Sequence, residues 1–193
     1  MIIYLVRHGI TEWNLEQRIQ GLTDIPLHEE GIKQAHKLGE KLQKKGRYSI
    51  IFSSPLLRAY ETARVIGQYI DIPLVTNPLL HEINFGQWDR QQPKNFTGSE
   101  RKLFDQWRAN PASVSPPGGE TVLEVKARLK LFLKNNELHE YQRPIIIVCH
   151  QIVGAVLACT LKDEDFSKMP DYYIKNTDYR VISANRATIL HDR

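Results

Sequence analysis

The sequence predicts an α/β fold: a three-layer sandwich with a mostly parallel central sheet, helices on both of its faces and a small lid insertion. Three observations lead there. Short apolar runs alternate with longer segments of helical periodicity along the chain. Three of those runs are nearly unbroken and rich in β-branched residues, as strands covered on both sides are. One segment, residues 82–120, breaks the alternation with Gly, Pro and polar residues around a short aromatic pattern.

Residues 2–6, "IIYLV", read as the first strand, which runs straight into Arg7 and His8. A helix follows over "EEGIKQAHKLGEKLQKK", with Ile32, Ala35, His36, Leu38 and Leu42 on one side. Its basic end, just before Gly46, complements the carbonyl end of the helix dipole. Residues 49–53, "SIIFS", form the second strand. The next helix, "PLLRAYETARVIGQYI", opens with Ser54 as cap and Pro55 as its first residue. Residues 72–75, "IPLV", give a third strand. After the 82–120 lid comes "GETVLEVKARLKLFLKNN", whose apolar side holds Val122, Val125, Leu129, Leu131, Phe132 and Leu133. Residues 145–149, "IIIVC", are a strand ending at His150, and "QIVGAVLACTL" continues as a helix. "YRVIS" and "ATIL" read as two short final strands.

A chain of 193 residues with 41% hydrophobic and 25% charged residues is expected to be one domain, 1–193. Cys149 and Cys159 lie in apolar surroundings and read as reduced core thiols, which fits a cytoplasmic protein. The apolar start "MIIYLV" is too short for a signal peptide, and no segment could span a bilayer, so no membrane association is expected. The net charge is +4, but Lys and Arg are scattered through the chain instead of forming a patch interleaved with aromatics. A nucleic-acid partner is therefore not expected. A homodimer is the default assembly.

In open α/β sheets ligands bind beyond the carboxyl ends of the strands. Arg7 and His8 end one strand, His150 ends another, and Arg58 lies in the early turns of the helix after a third. A helix start offers free N–H groups and a positive dipole end, and arginine adds a bidentate fork for phosphate oxygens. Two arginines, two histidines and a helix start thus converge around one anion. Each alone has a structural reading, a hydrogen-bonded histidine or a solvated arginine. Their coincidence at equivalent positions favours a site.

"LVRHGITEWN", "RIQGLTDIPLHEEG", "SSPLLRAYETA", "HEINFGQW", "PPGGET" and "VCHQ" occur in that order between residue 5 and about residue 155. Together they resemble the successive signature segments of the histidine phosphatase superfamily, the phosphoglycerate mutase-like proteins. The resemblance implies hydrolysis of a small phosphorylated metabolite through a phosphohistidine on His8. Arg7, Arg58 and His150 would surround the phosphoryl oxygens, and Asn14 would add a hydrogen bond. Glu82 would protonate the leaving oxygen and then activate the water that breaks the phosphohistidine. Gln20 and Gly21 match positions that line the pocket in relatives. No metal and no other cofactor is implied, because the arginines supply the positive charge.

Three departures from the family pattern stand out. His28 replaces a frequent helix-capping Thr, implying a weaker cap. Asp89 and Arg90 replace the frequent Glu-Gly after the Trp, implying a different shape or charge at the lid. Gln151 replaces a Gly after His150 and puts a polar amide near the pocket, where it would touch the substrate. Other phosphatase chemistries fit poorly. A cysteine phosphatase needs Arg six residues after its Cys, where Cys149 meets Ala155 and Cys159 meets Asp165. "DEDFS", at 163–167, follows a helical pattern where an aspartate phosphatase needs a strand. The seven histidines show no close-spaced pair of the kind that binds zinc.

The short "FGQWDRQQPKNFTGSE" lacks the longer charged insertion of phosphoglycerate mutases, so transfer to water is favoured over mutase-type transfer to a second hydroxyl. A non-catalytic interaction module of the same fold would be expected to lack one of the five residues the chemistry needs. The substrate is left to residues 82–120. The lid aromatics Phe85, Trp88, Phe96, Phe104 and Trp107 could face a ligand, but core packing is the favoured reading.

Overall fold

Side chains alternate across a strand, and here the two faces of the sheet meet different helices. The computed structural model describes residues 1–184. Its strands are β1 (Ile2–Arg7), β2 (Ile51–Ser53), β3 (Leu74–Thr76), β4 (Ile145–Cys149) and β5 (Tyr179–Ser183), in the order β3-β2-β4-β1-β5. The first four are mutually parallel, and β5 runs antiparallel to β1. The helices are α1 (Glu12–Leu15), α2 (Glu29–Lys45), α3 (Leu57–Ile70), α4 (Gly98–Ala109), α5 (Val122–Asn135) and α6 (Gln151–Lys162).

Ile3, Leu5, Ile145, Ile147 and Cys149 pack with Val125, Leu129 and Phe132 of α5 and Val153 and Val156 of α6. Val6, Ile51, Ile146 and Val148 turn the other way, against Leu38 and Leu42 of α2 and Ala59, Ala63 and Ile66 of α3. This is the three-layer α/β arrangement that the unbroken apolar runs predict. A fully buried side chain of this kind contributes about 1.5–3 kcal/mol, which makes the central strands a rigid platform for whatever sits at their ends.

Several expected boundaries shift for local reasons. β3 starts at Leu74 because Pro73 has no N–H; its carbonyl still accepts from Ile51. α3 starts at Leu57, not Pro55, and the N–H of Leu57 donates to Asp24 Oδ1 at 2.6 Å. Ile32 and Leu131 are exposed, at 40% and 52%, because the buried stripe of α2 runs through Gly31, Ala35, Leu38 and Gly39 and that of α5 through Leu129 and Phe132. His28 does cap α2, by accepting the Glu30 N–H on its Nδ1 at 3.1 Å, so a ring nitrogen replaces the missing hydroxyl. "YRVIS" is β5, whereas "ATIL" lies outside the described residues.

The 82–120 lid contains α4, which its polar composition did not announce, and two one-turn 3-10 helices at Gly86–Trp88 and Pro93–Asn95. Its five rings pack edge to face: Trp88 on Phe104 with centroids 5.2 Å apart, Phe96 on Phe104 at 5.1 Å and Phe85 on Trp107 at 5.2 Å. All five join the core on the α5–α6 side. Gly86 has φ +53°, and a Cβ there would run into the Pro117 carbonyl, so glycine lets this turn close against "PPGG". Cys149 and Cys159 are free and buried, and burial pushes the Cys159 thiol up to about 11. No helix among the described residues is long and apolar enough to cross a membrane.

Candidate active site

Register decides where the chemistry goes. Arg7 pairs with Cys149 and Ser53 with Val148, so β1, β4 and β2 end side by side. His8, Ser54 and His150 leave the sheet from those three tips. The rings of His8 and His150 lie 5.2 Å apart, centroid to centroid, tilted by 57°.

His8 is buried, 4% exposed, and its Nδ1 lies 2.8 Å from the Gly9 carbonyl. A carbonyl can only accept, so Nδ1 carries the proton and Nε2 presents a bare lone pair. The loop that holds this bond is itself held. Thr62 of α3 accepts the Gly9 N–H at 2.9 Å and donates to the Arg58 carbonyl at 2.7 Å. Asn176, just before β5, donates its amide to His8 O at 3.0 Å, Gly9 O at 3.4 Å and Asn14 Oδ1 at 3.2 Å. Burial first, then the Arg58 and Arg7 cations, hold His8 well below the ordinary imidazole value. His150 is lowered in the same way, by burial and then by Arg58, His8, Arg7 and His81.

Arg58, 1% exposed, projects from the first turn of α3 and donates to Thr23 O at 2.9 Å and Gly21 O at 2.7 Å, leaving Nε unpartnered among the described residues. Burial lowers it to about 10, against the opposing pull of Glu82, Asp24 and Asp89, so it stays a cation at neutral pH. Arg7 donates to Ile174 O at 3.1 Å, and its Nε likewise has no partner among the described residues. Glu82, 7% exposed, sits over the start of α6, where it accepts from Val153 N at 3.2 Å and Ile152 N at 3.4 Å, and from Ile83 N at 3.0 Å. Asn14 has its Oδ1 engaged by Thr11 as well as Asn176, which leaves its NH2 half to face a ligand.

Seven of the nine predicted residues line one cavity of about 520 Å³: His8, Asn14, Gln20, Gly21, Arg58, Glu82 and Gln151. Arg7 and His150 are not in that lining but lie beside His8. Gly21 has φ +45°, and a Cβ there would collide with the Asp89 carboxylate, which lies under the loop beside Arg58. Asp89 thus props the pocket floor. Arg90 takes φ +68°, a left-handed conformation that costs a residue with a Cβ roughly 1–2 kcal/mol. Its N–H on Ile19 O at 2.9 Å and its Nε on Thr23 Oγ1 at 3.3 Å hold the 18–23 loop against the lid.

Of the lid rings, Phe85, Phe104 and Trp107 both pack in the core and form cavity wall. Core packing is thus right for all five rings and incomplete for these three. The sequence reading missed Arg108, Tyr173 and Asn176. Arg108 reaches the cavity only because α4 exists, and Tyr173 and Asn176 arrive from a tail with no periodic pattern.

Both histidines regain an ordinary value near 6.5 when the chain unfolds. Between that value and their depressed folded values the unfolded chain holds more protons, so stability is whole above about pH 6.5 and falls as pH drops through it. Each histidine contributes up to about 1.4 kcal/mol per pH unit. Urea titrations between pH 7.5 and 5 should show this slope, flattened in a His8→Asn, His150→Asn double variant; an equal slope in that variant would assign the acid sensitivity elsewhere.

A family model described as the histidine phosphatase superfamily (branch 1) matches residues 3–190. Phosphoserine phosphatase 1 of Hydrogenobacter thermophilus is 32% identical over 180 residues, 93% of this chain and 85% of its own length. A probable phosphoglycerate mutase, GpmB, of Yersinia pestis is 34% identical over 160 residues, 82% of this chain and 74% of its own. Among solved structures, a mycobacterial glucosyl-3-phosphoglycerate phosphatase complexed with VO3 superposes with a TM-score of 0.88 at 26% identity, covering 97% of this chain and 93% of that one.

Proposed function

The chain belongs to the histidine phosphatase superfamily, branch 1, and from that membership we propose that it is a metal-independent phosphomonoesterase that hydrolyses small phosphorylated metabolites through a phosphohistidine on His8. The observation that carries this reading is the His8 Nδ1–H bond to Gly9 O, which leaves Nε2 bare beside two buried arginines.

A phosphoryl dianion entering the cavity meets the Arg58 and Arg7 guanidiniums, the His150 ring and the Asn14 amide. His8 Nε2 attacks phosphorus, a P–N bond forms and the P–O bond to the leaving alcohol breaks in line. Glu82 gives its proton to the departing oxygen. In the second step water attacks phosphorus and Glu82 takes its proton. The P–N bond then breaks, and phosphate and neutral His8 result. Position supports this assignment: Glu82 lines the same cavity as His8 but comes from the start of the lid. We infer likewise that residues 1–193 act as one domain, since the lid rings are continuous with the core of the α5–α6 side. Phosphatase over mutase is supported by a lid whose cavity wall is largely aromatic and carries one free cation, Arg108, among the described residues.

Rapid quenching with a labelled phosphomonoester should trap an acid-labile phosphoenzyme mapping to His8. Glu82→Gln should accumulate it, with turnover down about 10²–10⁴-fold and, on p-nitrophenyl phosphate, a burst of one nitrophenol per enzyme. Unchanged turnover in Glu82→Gln would remove it as the acid and base. Conversion of 3-phosphoglycerate to 2-phosphoglycerate in the presence of the bisphosphate primer, without release of phosphate, would favour the mutase.

A further inference from the structure

Ser54 is fully buried between the tip of β2 and the start of α3. Its place after the strand and before Pro55 suits a helix cap, but α3 begins at Leu57 and takes Asp24 as its partner there. The Ser54 hydroxyl lies instead 2.8 Å from His150 Nε2. It also accepts the Leu56 N–H at 3.3 Å, while the Ser54 N–H is held by Val148 O at 3.0 Å. The serine is therefore fixed in place and has one proton of its own to give.

The other nitrogen of the ring, His150 Nδ1, is buried and has no hydrogen-bond partner among the described residues. On the phosphatase reading, on which this inference rests, that nitrogen is the one left to meet a phosphoryl oxygen. A neutral imidazole carries a single N–H. If it were on Nε2, Nδ1 would turn a lone pair towards a dianion. An imidazolium, with two N–H groups, is opposed by burial and by the neighbouring Arg58, His8 and Arg7. The choice of tautomer therefore decides whether His150 attracts or repels the substrate.

We infer that Ser54 is a positioning residue that fixes the tautomer of His150: its hydroxyl donates to Nε2, so the ring proton stays on Nδ1, where a phosphoryl oxygen is received. Gly9 and Ser54 then do complementary work on the two histidines. The Gly9 carbonyl accepts from Nδ1 of His8 and leaves a lone pair facing the site; the Ser54 hydroxyl donates to Nε2 of His150 and leaves an N–H facing it. Both rings carry their proton on Nδ1. One is a nucleophile and the other a hydrogen-bond donor because each is gripped by the opposite nitrogen's neighbour.

The test begins with the unaltered protein. Long-range ¹H–¹⁵N spectra of histidine-labelled enzyme at pH 7.5 should show His150, assigned by its loss in His150→Gln, as a neutral ring protonated on Nδ1; protonation on Nε2 overturns the inference without any serine variant. Ser54→Ala should weaken orthovanadate binding about 10–100-fold, as loss of one hydrogen bond to a charged group does, and should shift the His150 tautomer signal. In a His150→Ala background the same serine change should weaken binding less than twofold. A full loss in that background means Ser54 acts on the fold and not through His150, and overturns the inference. Ser54→Thr, which keeps a hydroxyl, should keep the Nδ1–H signal. Phosphohistidine formation by the wild-type enzyme is followed in parallel: its absence would defeat the phosphatase reading itself, whereas its presence with Nε2–H on His150 would defeat only the role given to Ser54.

Discussion

Replacing His8 with alanine should lower turnover of any phosphomonoester by about 10⁴-fold or more, as loss of a nucleophile does elsewhere. Neither Cys149 nor Glu82 is free to take its place. Cys149 is buried with its thiol pushed up, and it donates weakly to the His150 carbonyl. Glu82 is tied to the N–H groups of α6. The fold should hardly notice. Gly9 O loses the imidazole N–H but keeps the Asn176 amide, so the stability change should lie within about 1.5 kcal/mol, the size of one net hydrogen bond. Steady-state assays on p-nitrophenyl phosphate paired with urea titration separate the two effects. Residual turnover within tenfold of wild type would mean that the phosphoryl group is not transferred to His8.

Arg58 should behave differently, because activity and fold both depend on it. Alanine there removes the donors to Gly21 O and Thr23 O and takes a buried cation away from the neighbouring carboxylates of Glu82, Asp24 and Asp89. Leaving a buried carbonyl without its donor typically costs about 1–3 kcal/mol. Activity should fall by at least about 10³-fold, as for other cationic stabilisers of a phosphoryl transition state. Lysine restores the charge but not the planar fork that spans two carbonyls while reaching into the cavity. Arg58→Lys should therefore recover most of the stability and leave kcat/KM well below wild type. A lysine variant as active as wild type would show that only charge matters at this position.

The parts of the molecule legible in the sequence are those dictated by burial. Ile145 to Cys149 cannot face water on either side, so the strand, its parallel neighbours and the helices above and below follow from composition. The strand tips follow in turn, and with them His8 and His150. What could not be read depends on geometry set by distant segments. Ser54 looks like a cap because Ser-Pro starts many helices; only the placement of Asp24 from the preceding loop frees it for His150. α4 was hidden because an aromatic pattern such as "LFDQW" serves equally a loop folded on a core. Asn176 carries no local signal, since its value lies in three oxygens from the other end of the chain.

That last connection bears on how the protein is made. β1 pairs with β4 and β5 and with no strand nearer in sequence. β1 must therefore wait, apolar and unpaired, until residue 145 and beyond have left the ribosome. Contacts of such long separation slow folding and prolong the exposure of sticky intermediates. His8 is synthesised well before Asn176 and the strands that set it in place, so a nascent chain that lacks those segments would carry His8 without its alignment.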